Sequence, residues 1–512
     1  MPSIRVFSGA AFGLAAFPVE VEVDSTPGLH FFNIVGLPDK TVEESKDRIA
    51  SAIKNSGFIA PKQKNQRIIV NLAPADVRKE GSGFDVPIAL GYLLATKQIS
   101  FHTDQRLFLG ELALDGLVRK ITGVLPIIAM AKEQGYTEVV VPQENAEEAS
   151  IITGIRVLPA RSLTDIIAHI QGTAVLSPAP PLDYGQYLTA SENSDFEMHH
   201  IKEQEQAKRA LVIAASGGHN ILMHGPPGSG KTLLARALAG IMPPMTYDEA
   251  IEVTKIYSIA GLIGSSPVIT QRPFRSPHHS TSTVAIVGGG SWPRPGEITL
   301  AHRGVLFLDE FPEFPRGVIE ALRQPMEQGE VVVSRAATSV KFPARFMLVA
   351  AMNPCPCGNY GDETKACICS TASIARYQKK LSGPILDRID IQINVSRESY
   401  DKLSGTSSTG STPQEMRSSI ATVRDIQRRR FAGTGLVTNS DMGPKDIQKY
   451  CKVDQQSDDF MRKVVTTHNL SGRGYHKILK LARTIADLDG NEAIKLPHLA
   501  EAVSYRIQSE TI

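Results

Sequence analysis

The run Gly225-Pro226-Pro227-Gly228-Ser229-Gly230-Lys231-Thr232 carries the glycines, lysine and hydroxyl that a phosphate-binding loop requires. In such a loop the glycines let main-chain N–H groups converge on phosphate oxygens. The lysine adds positive charge near the β and γ phosphates, and the hydroxyl faces Mg²⁺. The cofactors predicted are ATP and Mg²⁺. Seventy-seven residues after Thr232, the apolar run Val305 to Leu308 ends in Asp309 and Glu310. Asp309 would hold the ion directly or through water, and Glu310 would orient and deprotonate a water for attack on the γ-phosphate. A third apolar run, Phe346 to Met352, ends in Asn353, whose amide is placed to hold that water.

These groups need elements to hold them. The loop follows the strand-like Ile221-Leu222-Met223 and precedes a helix from Leu233 to Ala239, so spacing and context agree. Continuous apolar strands before catalytic turns are the mark of a parallel sheet buried on both faces. Residues 196–400 therefore read as a nucleotide-binding core. Residues 1–171 alternate strand-like runs such as Arg67 to Leu72 with amphipathic helices, one presenting Val42, Ile49, Ala52 and Ile53, and read as a separate α+β domain. Residues 172–195, opening with Pro178, Pro180 and Pro181 among small residues, read as an extended linker. A Ser/Thr/Gly-rich stretch from Ser404 to Thr412 introduces a mostly helical region over 401–512.

A length of 512 residues suits three or four domains. With 42% apolar and 21% charged residues, disorder throughout and collagen-like repeats are excluded. The formal charge of +2 is too balanced to identify a nucleic-acid or membrane partner, so a local patch must meet any such partner. The first twenty-four residues hold one basic residue and turn into a Val-Glu-Val-Glu strand pattern, unlike a signal peptide or anchor. With no uninterrupted apolar run of membrane-spanning length, no membrane association and a cytoplasmic location are expected. Four of the five cysteines, Cys355, Cys357, Cys367 and Cys369, fall within fifteen residues. They suit either a tetrahedral Zn²⁺ or a set of unligated thiols, since Cys-x-Cys is tighter than the usual Cys-x₂-Cys knuckle.

The order of phosphate loop, Asp309-Glu310 and Asn353 resembles an AAA+ ATPase. More narrowly, Pro273-Phe274-Arg275-Ser276-Pro277-His278-His279, Gly288-Gly289-Gly290 and Pro295 to His302 resemble the magnesium-chelatase-like ComM/YifB family. Val35 to Asp39, Asn71 to Asp76 and Ala482 to Leu488 fit it too, so the resemblance covers nearly the whole chain. It implies an α/β fold: an αβα P-loop core with a helical lid, preceded by an α+β Lon-protease-like (S5-like) domain. It also implies a homo-hexameric ring, formed with nucleotide or DNA, that acts as an ATP-driven motor on single-stranded and branched DNA and promotes branch migration in recombination of incoming DNA. A magnesium-chelatase-like or protein-remodelling motor is the alternative, and DNA-stimulated hydrolysis separates the two.

By the same resemblance, Arg388 in Ser382 to Arg388 would be an arginine finger reaching a neighbour's γ-phosphate. Arg473, opening a lid helix, would be a second sensor contacting nucleotide of the same or an adjacent subunit. The alternating segment Glu330 to Phe342 reads as a hairpin like those that ring motors push into their pore, with Arg335 near its tip. Arg335 and Lys341 suit phosphate contact or a solvated hairpin. His278 and His279 suit the pore or a structural role, and a helix with Arg417, Arg424 and Arg428 to Arg430 suits DNA or solvent. In the Lon-like domain Ser82 has no lysine where the family's dyad would need one, so peptidase activity is not expected.

Overall fold

The computed structural model describes residues 4–189, 201, 204–264, 266–290, 293–335, 338–362, 365–396 and 412–507. It forms two compact units. The first takes the chain up to Thr189 together with Tyr247–Ile269, and the second takes the described residues of 190–246 and 270–512.

The first unit is built on a mixed seven-stranded sheet. Its strands run in the order Phe31–Val35, Gln66–Ala73, Ala15–Pro27, Ile4–Phe12, Arg106–Phe108, Glu138–Pro142 and Arg156–Ala160. In Ala15–Pro27 the period of two puts Val19, Val21 and Val23 in the core while Glu20 and Glu22 reach outward. Pairing of Val6 with Val21 fixes that register. The helix Lys40–Asn55 starts where Asp39 accepts from the Val42 amide at 2.8 Å, and its buried side includes the predicted Val42, Ile49, Ala52 and Ile53. Val42, Ile49 and Ile53 each contribute about 1.5–3 kcal/mol by leaving water.

Two segments differ from their sequence-based expectation. Tyr247–Ala260, expected inside the nucleotide-binding core, is a helix of the first unit. The Gly123 amide donates to Ser258 O at 3.1 Å, and Tyr247 Oη donates to Ile151 O at 2.8 Å. The proline-rich start of the expected linker also lies along this unit, with Ala179 N donating to Val157 O at 2.9 Å and Leu182 N to Ser150 O at 3.2 Å. The end of that segment, 190–195, is outside the described residues. Within the same unit Lys79 is buried and donates to Pro74 O, while Ser82 Oγ donates to Glu111, so the two side chains serve different partners.

The second unit contains a five-stranded sheet in the order Phe274–Arg275, Val305–Leu308, Met347–Met352, Ile221–His224, Ile391–Asn394. All pairs are parallel. Val305–Leu308 and Met347–Met352 are buried along their whole length, as their unbroken apolar sequences require, and Ile221–His224 is buried too, its final histidine included. Ile221–His224 comes first in the chain yet lies between Met347–Met352 and Ile391–Asn394, the last two in sequence. Such a reversal of strand order opens a crevice at the carboxyl ends of the strands, where α/β sheets bind ligands. The helices Glu205–Gly217, Lys231–Ile241, Pro413–Arg430 and Gly472–Leu488 share one core with this sheet. The Ser/Thr/Gly-rich stretch from Ser404 to Thr412 is outside the described residues, apart from Thr412, which caps Pro413–Arg430 by accepting from Glu415 N at 3.2 Å. Among the described residues no helix is long and apolar enough to cross a membrane.

Candidate nucleotide site

Residues 225–230 leave the carboxyl end of Ile221–His224 at the point where strand order reverses, and the helix Lys231–Ile241 begins directly after them. Gly228 and Gly230 have φ of +77° and +86°, and a Cβ on either would meet open space, so backbone conformation and not crowding selects glycine there. At Gly225 crowding decides: a Cβ would lie 2.1 Å from Val395 O. The turn thus presents bare main chain at a helix N-terminus, where backbone N–H groups and the helix dipole favour an anion.

Lys231 Nζ donates to the carbonyls of Gly225 and Pro226, both at 2.8 Å, and lies 3.4 Å from both Ser229 Oγ and Asn353 Oδ1. Thr232 Oγ1 donates to Asp309 Oδ2 at 2.9 Å, so a hydroxyl from the first turn of Lys231–Ile241 and a carboxylate at the end of Val305–Leu308 meet at one point. That oxygen pair suits a hard divalent cation bound with a triphosphate. Asn353 follows Met347–Met352, the strand between the other two, and closes the set. Thus Lys231, Thr232, Asp309 and Asn353 come together from three neighbouring parallel strands. His224, just before the loop, is buried, and burial together with the nearby Lys231 charge pushes its imidazole down to about 4.

Glu310 adopts a left-handed conformation, φ +50°, and its amide donates to Asp309 Oδ1 at 2.9 Å. Its half-exposed carboxylate meets a partner the sequence did not reveal: His279 Nδ1 lies 3.1 Å from Glu310 Oε2. The His279 ring lies against the rings of His278 and Phe314, with centroids 4.0 and 6.4 Å away, while His278 Nδ1 pairs with Ser280 Oγ at 2.8 Å. His279 therefore sits at the nucleotide site.

Arg388, expected at a neighbour's nucleotide, and Arg473, expected as second sensor on the nucleotide of the same or an adjacent subunit, share one carboxylate of their own chain. Arg388 Nη2 donates to Glu327 Oε1 at 2.5 Å and its Nη1 to Pro384 O at 2.6 Å, and Arg473 Nη2 reaches the same Glu327 oxygen at 3.4 Å. Glu327 has no motif that would have singled it out. The expected hairpin forms from Glu330–Arg335 and Thr338–Pro343, with Arg335 paired to Thr338 at its end; residues 336 and 337 are outside the described residues. Lys341 Nζ donates to Glu330 Oε1 at 3.1 Å on the exposed face. The arginine-rich helix is another matter. Arg417 donates to Gly240 O, Arg424 to Ala215 O and Arg430 to Asp487, so these three anchor the helix to its own unit.

Cys355, Cys357, Cys367 and Cys369 converge, with all four sulfur atoms within 4.8 Å of one another. Cys451 lies apart and buried, and burial pushes its thiol up to about 12.

A phosphate-type loop at the reversal point of a parallel sheet, faced by acids and an amide from adjoining strands, defines an ATPase-type α/β domain, and comparison with known proteins gives the class. The family described as magnesium chelatase, subunit ChlI matches residues 197–403, the related subunit ChlI of Mg-chelatase matches 21–145, and the ChlI C-terminal family matches 410–506. Competence protein ComM of Haemophilus influenzae is 44% identical over 503 residues, 98% of this chain and 97% of that protein. YifB of Escherichia coli K12 is 40% identical over 98% of this chain and 96% of its own length. The magnesium-chelatase 38 kDa subunit of Cereibacter sphaeroides is 29% identical over 171 residues, 30% of this chain and 51% of that subunit. The chain belongs to the ComM/YifB family, with magnesium-chelatase ChlI-type domains over nearly its whole length.

Proposed function

We propose that this protein is a Mg²⁺-dependent ATPase that assembles as a homo-hexameric ring, works in the cytoplasm on single-stranded and branched DNA, and drives branch migration during recombination of incoming DNA. The observation that carries the ATPase part is the meeting of Thr232 Oγ1 and Asp309 Oδ2 at 2.9 Å beside Lys231 and Asn353. When bound with the triphosphate, Mg²⁺ would be held by Thr232 and Asp309 and would offset the negative charge that develops on the phosphates. Residues Gly225, Pro226, Pro227, Gly228, Ser229 and Gly230 wrap the phosphates with main-chain N–H groups wherever proline does not intervene. Lys231 exchanges its loop carbonyls for β and γ oxygens, and Thr232 and Asp309 hold the ion. Glu310 takes a proton from the attacking water, and Asn353 orients that water.

Arg388 acts on the adjoining subunit's nucleotide and Arg473 on that of the same or the adjoining subunit, which requires both to leave Glu327 in the assembled ring. The hairpin with Arg335 and Lys341 faces DNA phosphates, and the first unit, Lon-protease-like in fold, serves as scaffold or DNA-entry collar. The DNA part rests on the near-complete match to a protein named for competence. The test is the steady-state ATPase rate of the purified protein alone, with single-stranded DNA and with a four-way junction, using Glu310→Gln as the blank. Stimulation by DNA supports the motor. Hydrolysis indifferent to DNA overturns it in favour of a remodelling ATPase acting on a polypeptide.

A further inference from the structure

The loop that follows Asn353 has little to hold it. From Pro354 to Ser370 the described residues form no helix or strand, Cys355 and Gly358 are the only ones buried, and Ile368 is 87% exposed. A long irregular segment with so little apolar burial needs another source of order. Four sulfur atoms supply one. Cys355 Sγ lies 3.4 Å from Cys357 Sγ and 3.6 Å from Cys367 Sγ, and the last two are 3.6 Å apart. A disulfide would bring a pair to about 2 Å. Four thiolates around one tetrahedral Zn²⁺, with arms of about 2.3 Å, stand about 3.8 Å apart. An iron–sulfur cluster places its metals between the thiolates and would spread them much further.

The main chain reaches the cluster as well: the Tyr360 amide donates to Cys355 Sγ at 3.3 Å. The same loop abuts the nucleotide site. A Cβ on Gly358, whose φ is +80°, would lie 2.5 Å from Pro227 Cδ, so main chain packs directly on the phosphate-loop proline. Gln378 Nε2 donates to Pro354 O at 3.4 Å from the other side, and Cys355 is two residues beyond Asn353.

We propose that Cys355, Cys357, Cys367 and Cys369 bind one Zn²⁺ as a mononuclear tetrathiolate, and that this ion braces the phosphate loop through Gly358 and Pro227 while seating Asn353. The metal site stands on the cysteines alone. The bracing role rests on the nucleotide-site reading above.

The experiment uses the full chain without a metal-binding tag. Metal analysis of the purified protein is expected to give one zinc per chain, and exchange with Co²⁺ under reducing conditions is expected to give the visible spectrum of tetrahedral thiolate coordination. Cys367→Ser and Cys369→Ser should lose both signals, and Cys451→Ser, a control for thiol loss elsewhere, should keep them. Circular dichroism shows whether the variants fold. Absence of zinc together with no cobalt spectrum overturns the site, as does stoichiometric iron. Fluorescent ATP analogue binding reads the second part: the cysteine variants should bind roughly tenfold more weakly. Unchanged affinity in a folded, zinc-free variant overturns the bracing and leaves the site intact. Wild-type protein that carries zinc but binds no nucleotide overturns the ATPase reading instead.

Discussion

His279 Nδ1 lies 3.1 Å from Oε2 of Glu310, although thirty-one residues separate them in the chain. Glu310 is half exposed and would otherwise sample several rotamers, so this imidazole fixes the direction of the carboxylate that is proposed to deprotonate water. His279→Ala should therefore lower the ATPase kcat by about tenfold and leave ATP-analogue affinity unchanged, because the group acts on the orientation of the base and not on the phosphates. A loss of affinity with normal kcat would show a binding role instead.

Removing the base itself should have a larger effect. Glu310→Gln keeps shape and most hydrogen bonds but cannot accept the proton, so hydrolysis should fall by at least about a hundredfold while ATP still binds. Lys231→Ala should lose binding as well. Single-turnover hydrolysis and equilibrium binding distinguish these outcomes, and near-normal turnover by Glu310→Gln would remove it from the mechanism.

Arg388 and Arg473 converge on Glu327 within their own chain, so a role on a neighbour's nucleotide predicts complementation between defective subunits. Glu310→Gln and Arg388→Ala should each be inactive alone. Mixed in equal amounts, they should recover roughly a quarter of wild-type turnover, the fraction of sites that pair an intact base with an intact finger from the next subunit. No recovery would assign Arg388 to its own subunit.

Acid should weaken the second unit through His224. Its imidazole is held at about 4 by burial and by Lys231, against about 6.5 in the unfolded chain. Between those values the unfolded state binds the additional proton. The stability is complete above pH 6.5 and is lost as pH falls towards 4, by up to about 3 kcal/mol at one proton over two and a half pH units. His224 Nε2 has no hydrogen-bond partner among the described residues, so His224→Leu breaks no bond at that atom. The variant should lose less thermal stability than wild type between pH 7 and pH 5. Buried His219 shifts in the same direction and will leave a residual slope.

Local chemistry explains which parts of the molecule were legible beforehand. The phosphate loop, Asp309 and Glu310, and Asn353 each sit at the end of a short apolar strand, and a motif written in consecutive residues survives folding unchanged. The buried side of Lys40–Asn55 was legible for the same reason, since its period of 3.6 is contained in the helix. Contacts between distant segments left no such trace. Spacings of seven and four in Pro413–Arg430 put Arg417, Arg424 and Arg428 on one face, but nothing local says that the carbonyls of Gly240 and Ala215 wait for the first two. His279, on an insert rich in Ser, Thr and Pro, suits the pore or a structural role by its sequence, and only the fold brings Glu310 beside it. An amphipathic helix shows that it has an apolar face without showing which core receives it, so Tyr247–Ala260 looked like part of the unit that flanks it in sequence.

That helix also determines how the molecule can be divided. The chain leaves the ATPase unit after Thr246 and re-enters it at Thr270. A fragment beginning at residue 190 would therefore carry Val253 and Ile256, both fully buried in the intact protein, away from the core that covers them. A fragment ending at residue 189 would leave the opposite face of that seam open to water. No single cut yields two intact pieces, and dissection requires Tyr247–Ile269 to be replaced by a short polar bridge in one half and fused by a linker in the other.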